Sequence, residues 1–105
     1  GVPVDNFAIG GALTNNSNTS GAPLGFQTEW QSFLAGGGPA AFPRVSGTFD
    51  ANDLLTLSIG GNDARVYQLT GGTVAAAPTA AGAAVASATT GLNALVGAGA
   101  RNISF

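Results

Sequence analysis

Apolar positions along this chain fall into short groups separated by glycine and polar runs. Phe26, Trp30, Phe33 and Leu34 recur at spacings of four, three and one, which places them on one face of a short amphipathic helix. Gly36-Gly37-Gly38-Pro39 follows and is expected to end that helix. Leu54-Leu55-Thr56-Leu57-Ser58-Ile59 is an apolar run closed by Gly60-Gly61, the pattern of a short buried strand. Val85, Leu92, Leu95 and Val96 share a helical stripe, predicting an Ala-rich helix over 83–98. Asn102-Ile103-Ser104-Phe105 reads as the opening of a further strand.

The remaining segments are less regular. Val2 to Leu13 is apolar with one carboxylate, Asp5, and contains the pair Gly10-Gly11. Thr14 to Gly21 is a polar run whose side chains compete for backbone hydrogen bonds, so a loop is expected. Strand, loop, helix and strand in this order suggest an α/β parent fold. No repeat of fixed period is present, and 71–91 is mildly low in complexity.

Composition narrows the chemistry. The chain has 105 residues, enough for one domain, and no His or Cys. A zinc site of the usual kind, a thiol nucleophile, a disulfide framework and an internal Ser-His-Asp relay are therefore excluded. Three Arg against five acidic residues, with a pI near 4.4, argue against nucleic-acid binding. Charged residues make up 8 %, and none occurs between Val66 and Ala100. That stretch is broken by Gly, Pro78, Thr and Ser, and is expected to fall short of a membrane span. Gly and Ala fill over a third of the chain, so the core should be thin. Starting at Gly1 without a signal-like segment, the sequence reads as part of something longer.

Two motifs carry chemical information. Ser58-Ile59-Gly60-Gly61-Asn62-Asp63 runs from a strand directly into a turn, the place where open α/β sheets put ligand-binding loops. Its glycines admit a close ligand, and an Asn amide can donate to a developing oxyanion. Asp5-Asn6-Phe7-Ala8-Ile9-Gly10-Gly11-Ala12 is the second. Taken singly, the first reads as an ordinary turn with an Asx cap and the second as a bend. In this order, the pair resembles the second and third sequence blocks of the SGNH (GDSL) esterase and lipase family. Leu95 to Phe105, with Gly99-Ala100-Arg101 before an apolar strand, is similar to that family's later helix-to-strand passage.

The resemblance implies an α/β three-layer hydrolase fold in the intact parent. It implies that the Gly11 backbone N–H and the Asn62 side chain form an oxyanion hole. Gly60 would be the turn glycine, and Asp63 would hold the loop by hydrogen bonds. The family's nucleophile is a Ser in an upstream Gly-Asp-Ser block and its base is a His in a later Asp-x-x-His block. Neither block is found here, so 1–105 is expected to be a single, catalytically incomplete fragment with no esterase activity of its own. The alternative is one part of a folded, nicked esterase that supplies the oxyanion-hole loops. No cofactor is implied, and an ester substrate belongs only to the intact parent. The composition is similar to the passenger of a bacterial autotransporter esterase, which implies an extracellular or cell-surface location.

Other candidates carry less. Asp50 and Asp53 with Asp5 and Asp63 lack the register of an EF-hand calcium loop and are expected to be solvated turn carboxylates. Trp30 with Phe26 and Phe33 suits a helix core better than a sugar platform.

For the isolated chain, sparse charge favours a different architecture. In-register stacking brings each charge close to its own copies, a cost this composition largely avoids. Uncharged 7–13, 54–59 and 66–70 offer β-forming faces, Asn15, Asn16 and Asn18 would form amide ladders, and the prolines would sit at bends. An all-β, amyloid-like cross-β stack, self-associating as the subunit of a homo-oligomeric filament, is the expectation for the chain alone.

Overall fold

A computed structural model describes residues 3–38 and 42–105. The residues expected to contribute Val2 and the bend at Pro39 lie outside that range. In chain order the elements are helix α1 (Phe26–Leu34), strand β1 (Leu54–Thr56), helix α2 (Gly61–Leu69), helix α3 (Ala77–Gly97) and strand β2 (Asn102–Ser104). β1 and β2 pair in parallel, with Leu54 opposite Asn102, Leu55 opposite Ile103 and Thr56 opposite Ser104. The crossover between them carries α2 and α3, as a parallel connection requires.

This architecture overturns the cross-β expectation. Helices of 9, 9 and 21 residues outweigh two strands of three, and the strands pair within one chain. The fold is mixed α/β, not an all-β amyloid stack. The asparagines assigned to ladders are engaged in local hydrogen bonds instead. Asn18 Nδ2 donates to the Gly10 and Leu24 carbonyls at 2.9 Å each, while its Oδ1 accepts from Ser20 N–H at 3.0 Å. Asn15 Oδ1 accepts from Ser17 N–H, and Asn16 Oδ1 accepts from the Thr28 hydroxyl. Asn and Ser side chains satisfy nearby backbone groups more readily than they line up between copies.

Helix α1 spans the residues that its aromatic spacing predicts. Its N-cap, Gly25, offers no side-chain cap. Loop carbonyls meet its first N–H groups instead, Leu13 O at Phe26 and Asn15 O at Gln27, satisfying donors that a helix leaves free at its start. Phe26, Leu95 and Ala100 form the buried centre, and Trp30, Phe33, Phe49, Leu55 and Ile103 pack around it. Phe33 stacks on Phe49 at 4.6 Å between ring centroids and meets Phe7 edge-on at 5.5 Å. The aromatic group is therefore core packing.

Helix α3 starts six residues earlier than its apolar stripe suggests, at Ala77. Pro78 lies in its first turn, where a missing N–H costs nothing. At the other end, Gly99 N–H donates to Val96 O and Ala100 N–H to Leu95 O, a Schellman turn. Arg101 Nη1 adds bonds to Val96 O and Ala100 O. By length and composition alone α3 is long and apolar enough to cross a membrane, which departs from the expectation for 66–100. Within the fold it packs on α1 and α2.

Two further expectations are corrected. Residues 66–70 belong to or border α2 and form no strand. Positions 54–59 contain a three-residue strand, with Leu55 half-buried and Leu54 64 % exposed. Parallel strands are buried when both faces are covered, and only the Leu55–Ile103 face is packed against the core here.

Glu29 on α1 is half-buried, and its Oε1 accepts from Ile9 N–H at 2.7 Å. Burial pushes its carboxyl above the ordinary 4.5, and the Ile9 bond opposes part of that rise. A raised folded pKa means that the folded chain holds the proton more tightly than the unfolded chain. Glu29's contribution therefore favours folding at low pH and declines as pH rises from the ordinary value through the raised one. Glu29→Gln keeps an acceptor for Ile9 and should flatten this part of the profile. Urea unfolding between about pH 4 and 7 measures it; an unchanged slope in the variant would show that another group titrates.

Candidate functional site

The two sequence motifs meet at the start of α2. Gly60 adopts φ 107° and Gly61 opens the helix. Nothing lies within 4 Å of where a Gly60 Cβ would stand, so the left-handed backbone alone calls for glycine there. The turn places half-buried Asn62 and Asp63 in the helix's first turn. A carboxylate is favoured there by the partial positive charge of the free N–H groups.

Asp63 reaches across to the other motif. Its Oδ1 accepts from Thr14 N–H at 2.9 Å and its Oδ2 from the Thr14 hydroxyl at 2.6 Å. Thr14 is buried, so this two-point clamp fastens the loop after Gly11 to α2. Asn62 Nδ2 adds a bond to the Ala12 carbonyl at 3.0 Å. One amide hydrogen of Asn62 is used there, and the second is free to donate elsewhere.

The Gly10–Ala12 turn is held by its carbonyls. Gly10 O accepts from Asn18 Nδ2, Gly11 O from Thr19 N–H, and Ala12 O from Asn62 Nδ2. Ala12 N–H donates to Ile9 O at 3.2 Å. The Gly11 N–H has no acceptor among the described residues. Gly11 has φ 81°, and an added Cβ would come 2.5 Å from Thr19 Oγ1 and 2.6 Å from Asn18 Oδ1. Both conformation and space exclude a side chain.

Gly11 and Asn62, 51 positions apart in sequence, line one open groove of about 600 Å³. Its wall continues along α2 through Arg65, Val66, Leu69 and Thr70, with Thr19 at the loop side. Relative to Asn62 these are positions i+3, i+4, i+7 and i+8, one stripe of a helix. A free backbone N–H and an Asn amide beside the same groove are the kinds of donor that anionic oxygens take. Sequence reasoning named Gly11, Gly60, Asn62 and Asp63 but missed Thr14, Thr19 and the α2 wall. The i+3, i+4, i+7 spacing from Asn62 was the available signal for the wall. Nothing local marks Thr14 as the partner of a carboxylate 49 residues away.

Asp50 and Asp53, outside this site, serve a turn. Asp50 Oδ1 accepts from Asn52 N–H, and Asp53 Oδ2 accepts from Asp50 N–H. No group of three or more metal-ligating side chains occurs among the described residues. Comparison with protein-family models, curated proteins and solved structures gives no match.

Proposed function

We propose that these residues form the oxyanion-binding half of an SGNH-type carboxylic-ester hydrolase. The convergence of Gly11 and Asn62 on one groove, fixed by the Asp63–Thr14 clamp, carries this reading. In the reaction, the Gly11 N–H and the second Asn62 amide hydrogen donate to the oxygen that becomes negative when the ester carbonyl turns tetrahedral. Gly60 sets the turn that presents Asn62, and Asp63 positions the loop without touching substrate. The reading requires a serine nucleophile and a histidine base from outside these 105 residues, and on it the 105 residues alone are not expected to turn over an ester. A bacterial cell-surface location accompanies the proposal through the resemblance to autotransporter esterase passengers.

The shape of the chain supports its being part of a larger domain. Its accessible surface is 6551 Å², against roughly 5,300 Å² for a compact monomer of this mass. Its radius of gyration is 14.6 Å, against about 13 Å for a compact domain of this length. Leu54, Leu69, Val74 and Phe105 stay largely exposed, as expected where further layers normally cover a sheet and its helices.

The test uses the chain itself. Titration with butylphosphonate, a tetrahedral anion, should move the Gly11 backbone and Asn62 side-chain amide resonances together, with a single dissociation constant. Movement of neither, or of one without the other, would remove the oxyanion assignment.

A further inference from the structure

Arg65 stands on the groove wall one helical turn from Asn62. It is exposed, and it donates to no acceptor among the described residues. Arg101 differs, because its Nη1 is engaged by two carbonyls at the end of α3. The next groove positions on α2 are Val66 and Leu69, and Leu69 is 71 % exposed. Along the helix axis, Arg65 lies about 4.5 Å and Leu69 about 10.5 Å beyond Asn62. The groove thus passes from an oxyanion-donating end, past a free guanidinium, to an apolar strip.

Resting on the oxyanion reading above, we infer that Arg65 is a specificity residue that selects esters carrying a second, singly charged carboxylate near the reacting carbonyl. Guanidinium and carboxylate match geometrically in a two-bond fork. Because Arg65 lies one turn along α2 from Asn62 and carries a long, flexible side chain, both groups can reach a substrate whose two carbonyl carbons are joined by a short spacer. Val66 and Leu69 contact the spacer or a short alkyl end. A single charge is favoured because the chain has net charge −2 and Arg65 is the one cationic side chain among the residues lining the groove. A dianion would meet more repulsion there.

The experiment compares monomethyl succinate with dimethyl succinate by amide and Arg side-chain resonances of the 105-residue chain. The monoanion should bind about three- to tenfold more tightly at low salt, and Arg65→Gln should erase that preference, so that the two esters bind alike. High salt should erase it as well. An equal affinity for both esters, or a preference that survives Arg65→Gln, overturns the inference. If the preference fails while butylphosphonate still moves Gly11 and Asn62 together, the inference falls and the oxyanion reading stands without it. If butylphosphonate moves neither, both readings fall.

Discussion

Replacing Gly91 with Leu is expected to abolish the cooperative unfolding transition of this chain. Gly91 is buried in α3 where α1 crosses it. An added Cβ would come 2.5 Å from Phe26 Cε2, 2.7 Å from Trp30 Cδ1 and 2.8 Å from Trp30 Nε1. Phe26 is 3 % exposed and anchors the core with Leu95, one turn along α3. Two effects oppose each other at this position. Glycine weakens a helix interior by about 1 kcal/mol relative to alanine, whereas forcing atoms into a packed interior costs about 1–3 kcal/mol and more for larger groups.

At Gly91 the packing term wins, because the obstructing atoms are two aromatic rings at the centre of a thin core. Gly91→Ala should therefore destabilise despite its better propensity, and Gly91→Leu should separate α1 from α3. Gly82, on the same helix, has nothing within 4 Å of a built Cβ, so Gly82→Ala should stabilise by about 0.5–1 kcal/mol. Thermal unfolding followed by circular dichroism gives all three values. Gly91→Ala matching Gly82→Ala in sign would show that the helices do not cross here.

The elements most legible in the sequence were those specified locally. Phe26, Trp30, Phe33 and Leu34 form an unambiguous helical face, and α1 occupies the same nine residues. Asn102–Ser104 is likewise a strand. Helix α3 was read short because its apolar stripe begins at Val85, whereas the Ala-rich turns before it need no stripe to be helical. Helix α2 was hidden. Val66 and Tyr67 suit strands, the helix has no side-chain N-cap, and its start depends on a left-handed Gly60 and on Asp63 gripping Thr14. That last contact spans 49 residues, and no local pattern encodes it.

The cross-β expectation failed for a related reason. Low charge permits stacking but does not require it. What decides the fold is the set of partners available within one chain. Asn18 finds two carbonyls and an N–H, and the aromatic face of α1 finds a glycine to pack on. The candidate site was legible as four residues and two turns. The groove that joins them was not, since its wall is a face of the unrecognised helix.

If the proposed ester hydrolase is right, Asn62→Ala in a longer polypeptide that supplies the required serine and histidine tests the central claim most directly. The Asn62 amide is held by Ala12 O on one side and opens to the groove on the other. Under the proposed role it donates where charge develops and does little for the neutral ester before attack. Loss of one such donor lowers kcat by about 10²–10³, with KM little changed. Folding should lose only about 1 kcal/mol, the usual net worth of one hydrogen bond, because Asp63 still clamps Thr14. Ester turnover of purified wild type and variant, measured beside their melting temperatures, separates the two effects. A fall of that size in kcat with a nearly unchanged melting temperature is the result predicted. An unchanged kcat in the folded variant would contradict the assignment of Asn62 to the oxyanion hole.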